Sequence, residues 1–145
     1  MPTTFDPQTI WMVAILLLAF GATKYVIPRL IAGVPFFDPQ AVQQRIAAGE
    51  EVMILDVRTV GEFTGSKGHV PGAVNVPLNE IASRLNAHAE EMEALKHLPI
   101  FVMCQTANRS PSAARQLRKR GFTNVAVVKG GMSGWKRAGL PVEGA

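Results

Sequence analysis

The chain contains very little cysteine: Cys104 is the only one among its 145 residues. A single thiol excludes an internal disulfide and any metal site built from several cysteines. His88 and His97 have no metal-ligand spacing, so we expect no metal site. The net charge of +4 is mild, and no aromatic side chains interleave with the basic cluster Arg115–Arg120. These features argue against a nucleic-acid partner.

Charged side chains are also absent from one long stretch near the N-terminus, Ile10–Ala22. A helix over residues 10–27 would be about 27 Å long, close to the thickness of a bilayer's hydrocarbon core, provided that Lys24 reaches the headgroups. Trp11 and Tyr25 lie near its two ends, where interfacial aromatic residues are common. The sequence therefore predicts a single transmembrane helix that contacts membrane lipid through residues 10–27.

No basic residue precedes this apolar stretch, whereas a signal peptide normally begins with a basic region. The residues Ala19–Ala22 weakly resemble a cleavage site, so a cleaved signal is the alternative. Lys24 and Arg29 follow the apolar stretch, and the positive-inside rule then places the rest of the chain in the cytoplasm. We expect a single-pass protein of the inner (cytoplasmic) membrane with its C-terminal domain in the cytoplasm, where a lone thiol stays reduced.

After the apolar stretch, short apolar runs alternate with segments typical of helices. The runs Val52–Leu55, Val74–Val76, Ile100–Cys104 and Val125–Val128 predict strands, and their alternation with helices predicts a parallel sheet covered on both faces. The predicted organisation is a transmembrane helix with its flank at 1–30, a short linker at 31–37 and an α/β domain at 38–145.

Cys104 closes the apolar run that begins at Ile100. Ser110 and Pro111 predict the start of a helix, with the Ser110 hydroxyl as its cap and proline at its first position. The thiol therefore lies at a strand end, in a short loop that leads into a helix N-terminus. Such a site favours an anionic sulfur, and Arg109 adds a positive charge. A lone cysteine is otherwise often an inert buried residue.

Four segments, in the right order across about residues 35–145, resemble the rhodanese family. They are Leu55-Asp56-Val57-Arg58 with Glu62-Phe63, the run Gly68–Pro77, the six-residue loop Cys104–Arg109, and Gly130–Trp135 with Gly139–Val142. The resemblance implies a rhodanese-like parallel sheet with helices on both faces.

The resemblance also implies sulfur transfer with Cys104 as the catalytic nucleophile. Cys104 would take sulfane sulfur from a small anionic donor, such as thiosulfate or a persulfide, and pass it to a thiol or protein acceptor. No metal or organic cofactor is needed for this chemistry. Related phosphatases have a loop one residue longer, so this loop suits sulfur better than phosphate. The predicted substrate-binding residues are Gln105, Thr106, Ala107, Asn108, Arg109 and Ser110.

Two residues of the loop depart from the family pattern. Gln105 stands where many active members carry a basic residue, and Ala107 where many carry glycine, which visits positive φ more cheaply. These departures support an alternative function, a catalytically weak binding module that docks a partner at the membrane. Arg109 either contacts an anionic donor or holds the loop.

Asp56 and Arg58 follow a predicted strand at the same edge of the sheet as Cys104. They either brace the loop as a salt bridge or contact substrate. Bracing is favoured, because a carboxylate beside the sulfur would oppose the thiolate. The resemblance implies a structural role for His69, whose segment is shared by members with different loops.

Overall fold

The computed structural model describes residues 6–26 and 33–144. The first helix, α1, spans Pro7–Gly21 and continues as a π-helical turn at Ala22–Val26. Asp6 accepts a hydrogen bond from the backbone N of Gln8 at 3.4 Å, and Pro7 occupies the first turn, where its missing N–H costs nothing. The apolar side chains of α1 are exposed, Trp11 to 70%, so the helix does not form part of the domain core.

Within the described residues, the stretch Pro7–Lys24 is long and apolar enough to cross a membrane, with a mean hydropathy of 1.3 over 18 residues. A signal sequence near the N-terminus has the same length and composition. Ile27, the last residue of the predicted span, lies outside the described residues, as do residues 28–32 with Arg29 and part of the predicted flank and linker.

A parallel sheet follows α1 in the sequence, as the alternation of strands and helices predicts. In the described part of the chain it has five strands, in the order β1-β5-β4-β2-β3. Their bounds are Phe36–Phe37 (β1), Met53–Asp56 (β2), Val74–Asn75 (β3), Ile100–Met103 (β4) and Val125–Val128 (β5). Strand β4 is central, and every one of its side chains is buried.

Helices cover both faces of the sheet. Because side chains alternate along a strand, Ile100 and Val102 of β4 pack on one face, and Phe101 and Met103 on the other. The helix bounds are Pro39–Ala47 (α2), Val60–Phe63 (α3), Ile81–Ala87 (α4), Ala89–Glu93 (α5), Ser110–Lys119 (α6) and Gly131–Arg137 (α7). The first face is covered by α4 and α6, and the second by α2 and α7 with the fully buried Trp135.

Part of the segment 31–37, predicted as a linker, forms strand β1. Phe36 pairs with Val127 and Phe37 with Val128. Val34 is only 7% exposed and belongs to the core. A two-residue strand is too short to leave a periodic pattern in the sequence.

Candidate functional site

Cys104 directly follows β4, at the edge of the sheet where the strands' carboxyl ends meet. In open parallel sheets, this edge is where ligands bind. The residue is 1% exposed and its thiol is free. The next regular element is α6, which begins at Ser110, so the loop Cys104–Arg109 joins the central strand to a helix N-terminus as the sequence predicts.

The loop backbone makes its turn at Ala107, whose φ of 65° lies in the left-handed region. An L-residue in that conformation costs about 1 kcal/mol, which explains why glycine is common at this position in the family that the sequence resembles. The backbone N–H groups of residues 105–108 donate no hydrogen bond to any described residue. With the N-terminus of the ten-residue α6, they form a set of donors suited to an anion.

The start of α7 supports the loop through two backbone hydrogen bonds. The backbone N of Met132 donates to the carbonyl of Cys104 at 2.8 Å, and the backbone N of Ser133 donates to the carbonyl of Gln105 at 3.0 Å. Gly131 precedes them with a φ of 56°, and a Cβ there would lie 2.3 Å from the Cys104 carbonyl oxygen. Only glycine therefore permits this close approach of α7 to the loop.

Asp56 and Arg58 form a fully buried ion pair, called here the inner pair. The Arg58 Nη2 donates to Asp56 Oδ2 at 2.7 Å, and its Nε contacts both carboxylate oxygens at 3.0 and 3.1 Å. Both side chains are 0% exposed. The Arg58 guanidinium also donates to the Gly68 carbonyl at 2.9 Å and to the Gln105 side-chain oxygen at 3.4 Å. The inner pair thus connects the end of β2 to the cysteine loop.

The Gln105 side chain is held at both of its polar atoms. Its oxygen accepts from Arg58, and its Nε2 donates to the Ser133 hydroxyl at 3.0 Å. At the position where many active rhodaneses carry a basic residue, this chain therefore places a neutral amide that is bonded to the supports of the loop.

Glu62 and Arg109 form a second ion pair, called here the outer pair. Arg109 Nη1 donates to Glu62 Oε2 at 2.8 Å, and Nη2 donates to Oε1 at 2.7 Å. Thr59 fixes the carboxylate further, because its backbone N and its hydroxyl both donate to Oε2 at 3.0 Å. This contact is half of a capping box at the start of α3, in which Glu62 N donates to Thr59 Oγ1 at 3.2 Å.

The outer pair is partly open to solvent, with Glu62 37% and Arg109 34% exposed. The hydrogen bond from Arg109, with further hydrogen bonds from Thr59, lowers the pKa of Glu62 to about 2 against the opposing effect of burial. The same bond raises the pKa of Arg109, to which the charges of Cys104 and Asp56 add smaller contributions. Both members therefore stay charged at neutral pH.

The prediction that Ser110 caps α6 is wrong. Arg109 occupies the N-cap position with a helical backbone (φ −86°, ψ −31°), which makes Ser110 the first residue of the helix. The Ser110 hydroxyl is buried and has no hydrogen-bond partner among the described residues. The remaining two loop side chains contact each other, since Asn108 Nδ2 donates to the Thr106 hydroxyl at 3.1 Å.

His69 lies beside α3 and uses both ring nitrogens in contacts with the protein. Its Nδ1 is 2.9 Å from the Phe63 carbonyl, its Nε2 is 3.3 Å from Glu143, and its ring stacks on that of Phe63 with 3.8 Å between centroids. Among residues 6–26 and 33–144, no group of three or more His, Cys, Asp or Glu side chains is placed to hold a metal ion.

A parallel five-stranded sheet with a cysteine loop after its central strand defines the class of protein. The rhodanese-like domain family matches residues 38–138, which is more than half of the chain, and the chain therefore belongs to this family. The resemblance found in the four sequence segments is confirmed.

Similarity to particular proteins supports the same assignment. The chain is 30% identical over 105 residues to a sulfurtransferase from Allochromatium vinosum, covering 72% of this chain and 91% of that protein. It is 36% identical over 104 residues to the putative sulfur carrier protein YrkF from Bacillus subtilis, which covers 72% of this chain but only about half, 52%, of YrkF. The solution structure of the rhodanese-like domain of the Anabaena protein Alr3790 superimposes with a TM-score of 0.65 at 31% identity, covering 77% of this chain and 80% of that one.

Four residues contact the loop without a predicted role there, Glu62, Gly131, Met132 and Ser133, and Thr59 holds Glu62 in place. The spacing of Thr59 and Glu62 is a capping-box pattern that the sequence contains, and it indicates a helix start. That Glu62 also reaches Arg109, 47 residues later, leaves no local signal in the sequence. The same holds for Ser133 and Gly131, whose contacts with the loop depend on the packing of α7.

Proposed function

We propose that this chain is a sulfurtransferase that carries sulfane sulfur as a persulfide on Cys104. The observation that carries the proposal is the pairing of the only thiol with a loop whose backbone N–H groups at residues 105–108 donate to none of the described residues. The family membership and a relative named sulfurtransferase support it. The Ser110 hydroxyl, which has no hydrogen-bond partner among residues 6–26 and 33–144, adds one more polar group at the base of the loop.

In the first half of the proposed reaction, the Cys104 thiolate attacks the outer sulfur of the donor. A bond forms between Sγ and that sulfur while the donor's own S–S bond breaks, and its electron pair leaves with sulfite when the donor is thiosulfate. The product is an anionic Cys104 persulfide, whose terminal sulfur the loop amides stabilise as they would an oxyanion. In the second half, an acceptor thiolate attacks this terminal sulfur, takes it as a new persulfide and restores the Cys104 thiolate.

The proposal places the domain at a membrane surface. Support comes from the apolar stretch Pro7–Lys24, which no part of the described structure buries. Lys24 and Arg29 follow this stretch, and by the positive-inside rule they favour an anchor with the domain in the cytoplasm. On this basis the acceptor is a thiol or a protein that reaches the inner membrane from the cytoplasmic side.

A turnover assay on the full chain in detergent tests the activity. With thiosulfate or a small persulfide as donor and a thiol as acceptor, we expect sulfur transfer above the uncatalysed rate. Cys104→Ser should abolish it while the domain stays folded. Turnover that persists in Cys104→Ser would exclude the mechanism.

A second candidate function is a binding module that docks a partner at the membrane with little turnover. It is favoured by the burial of Cys104, which is 1% exposed, and by the engagement of both Gln105 and Arg109 in contacts with the protein. A folded full chain without transfer from any donor would support this function over the enzyme.

A further inference from the structure

The charged groups around the cysteine loop neutralise one another. Arg58 is bonded to Asp56 in the inner pair, and Arg109 is bonded to Glu62 in the outer pair, each through two guanidinium nitrogens. Gln105 contributes no charge. The formal charge of the four ionised side chains in these two pairs is therefore zero, and within the loop itself an incoming anion meets the backbone amides and the helix N-terminus, which is equivalent to about half a positive charge.

Arg109 is the only one of the two arginines with access to solvent, since Arg58 is 0% and Arg109 34% exposed. An anionic donor that used Arg109 would have to displace Glu62. The Glu62 carboxylate accepts four hydrogen bonds, two from Arg109 and two from Thr59, so Thr59 holds it independently of Arg109. A donor with two negative charges then meets a net-neutral outer pair, and only the partial charge of the helix N-terminus is left to attract it.

We infer that Glu62 sets the donor preference of this loop: by neutralising Arg109, it favours monoanionic alkyl persulfides over dianionic thiosulfate. The inference rests on the proposed function and names the substrate class of the same site. Glu62 acts through Arg109 and does not touch the reacting sulfur, so it is a specificity-determining residue and not a catalytic one.

The reaction with an alkyl persulfide balances without any further reactant. The Cys104 thiolate attacks the terminal sulfur of the donor, and a bond forms between Sγ and that sulfur. The donor's S–S bond breaks, and the electron pair leaves with the inner sulfur as an alkyl thiolate. Charge is conserved, because a thiolate and an anionic persulfide are converted into a thiolate and an anionic persulfide.

The test is Glu62→Gln, which keeps the size of the side chain and removes its charge. Glu80→Gln is the matched control, because Glu80 forms an exposed ion pair with Arg84 in the turn before α4 and makes no hydrogen bond or ion pair with the loop Cys104–Arg109 within the described residues. In the full chain in detergent, kcat/KM is measured for thiosulfate and for the persulfide of an uncharged alkyl thiol. We expect Glu62→Gln to raise the ratio of thiosulfate to persulfide kcat/KM about tenfold, and Glu80→Gln to leave it unchanged. Damage to the loop would lower both values alike and leave the ratio unchanged.

A second measurement is independent of turnover. Thiosulfate affinity is measured by calorimetry in a Cys104→Ser background, with and without Glu62→Gln. Tighter thiosulfate binding with Glu62→Gln, by about tenfold, supports the inference even if the wild type transfers no sulfur. A failure to transfer sulfur would overturn the proposed function alone. An unchanged affinity, or an unchanged donor ratio in the active enzyme, overturns the role of Glu62 and leaves sulfur transfer by Cys104 intact.

Discussion

The inner and outer pairs use the same chemistry, an arginine bonded to a carboxylate through two nitrogens, in two different surroundings. The inner pair, Asp56 and Arg58, is fully buried between the end of β2 and the loop. The outer pair, Glu62 and Arg109, is about one third exposed at the loop's far end. Removing one member of a buried pair leaves an uncompensated charge in a low-dielectric interior, whereas water solvates the remaining member of an exposed pair.

Because of this difference in surroundings, the two pairs have different roles at the loop. The inner pair also donates to the Gly68 carbonyl and the Gln105 side chain, so it fixes the frame on which the loop rests. The outer pair fixes the charge at the loop's open side. We therefore expect changes in the inner pair to act on stability, and changes in the outer pair to act on donor preference.

Asp56→Ala should have the largest effect on folding. The substitution leaves the buried Arg58 guanidinium without its carboxylate partner, and we expect a loss of about 3–5 kcal/mol in the free energy of unfolding. Urea unfolding of the full chain in detergent, followed through the buried Trp135, measures it. A loss below about 1 kcal/mol would remove the distinction between the two pairs.

Gly131→Ala tests whether the backbone is a further support of the loop beside the inner pair. The new Cβ would meet the Cys104 carbonyl, and the residue would keep a left-handed φ, so we expect a loss of about 2–4 kcal/mol in the free energy of unfolding. Gly49→Ala is the matched control, with a φ of 76° and nothing within 4 Å. It should lose only about 1 kcal/mol, the cost of the backbone conformation. Equal losses would show that α7 does not constrain the loop.

Glu62→Gln should have a small effect on folding. Exposed ion pairs contribute little, and we expect a loss of less than about 1 kcal/mol at pH 7, measured by the same unfolding experiment. A loss as large as that of Asp56→Ala would assign the outer pair to the frame of the loop.

The pH dependence of the unfolding free energy gives a second test of the Glu62→Gln effect. The pKa of Glu62 is lowered from 4.5 to about 2 in the folded protein, so its contribution to stability is complete above about pH 4.5 and is lost as the pH falls towards 2. The difference in unfolding free energy between the wild type and Glu62→Gln should therefore be constant from pH 5 to 8 and shrink below about 4.5. A difference that changes between pH 5 and 8 would contradict the lowered pKa.

The sheet and the position of Cys104 could be predicted from the sequence because their signals are local. Apolar runs mark β4 and β5, and the residues after Ile100–Met103 mark a loop and a helix start. Strand β1 cannot be predicted from the sequence, because its two residues are too few to show a periodicity. The prediction of a Ser110 cap is wrong because the helix begins one residue earlier than the Ser-Pro pattern indicates, with Arg109 at its N-cap.

The side-chain contacts within the site are harder to predict from the sequence than the strands are. Asp56 and Arg58 are two residues apart at a strand end, so their contact was expected. Glu62 and Arg109 are 47 residues apart, and their contact depends on how α3 packs against the loop. For that reason, the sequence leaves open whether Arg109 contacts a donor or holds the loop, and the structure shows that its guanidinium is already bonded to Glu62.

The central claim, that Cys104 carries sulfur, is tested most directly by the intact mass of the full chain after treatment with a persulfide donor. The account predicts an added mass of one sulfur atom, located on Cys104 by peptide analysis, removed by a thiol acceptor and absent from Cys104→Ser. An unmodified Cys104 in a folded chain, with every donor tried, would contradict it.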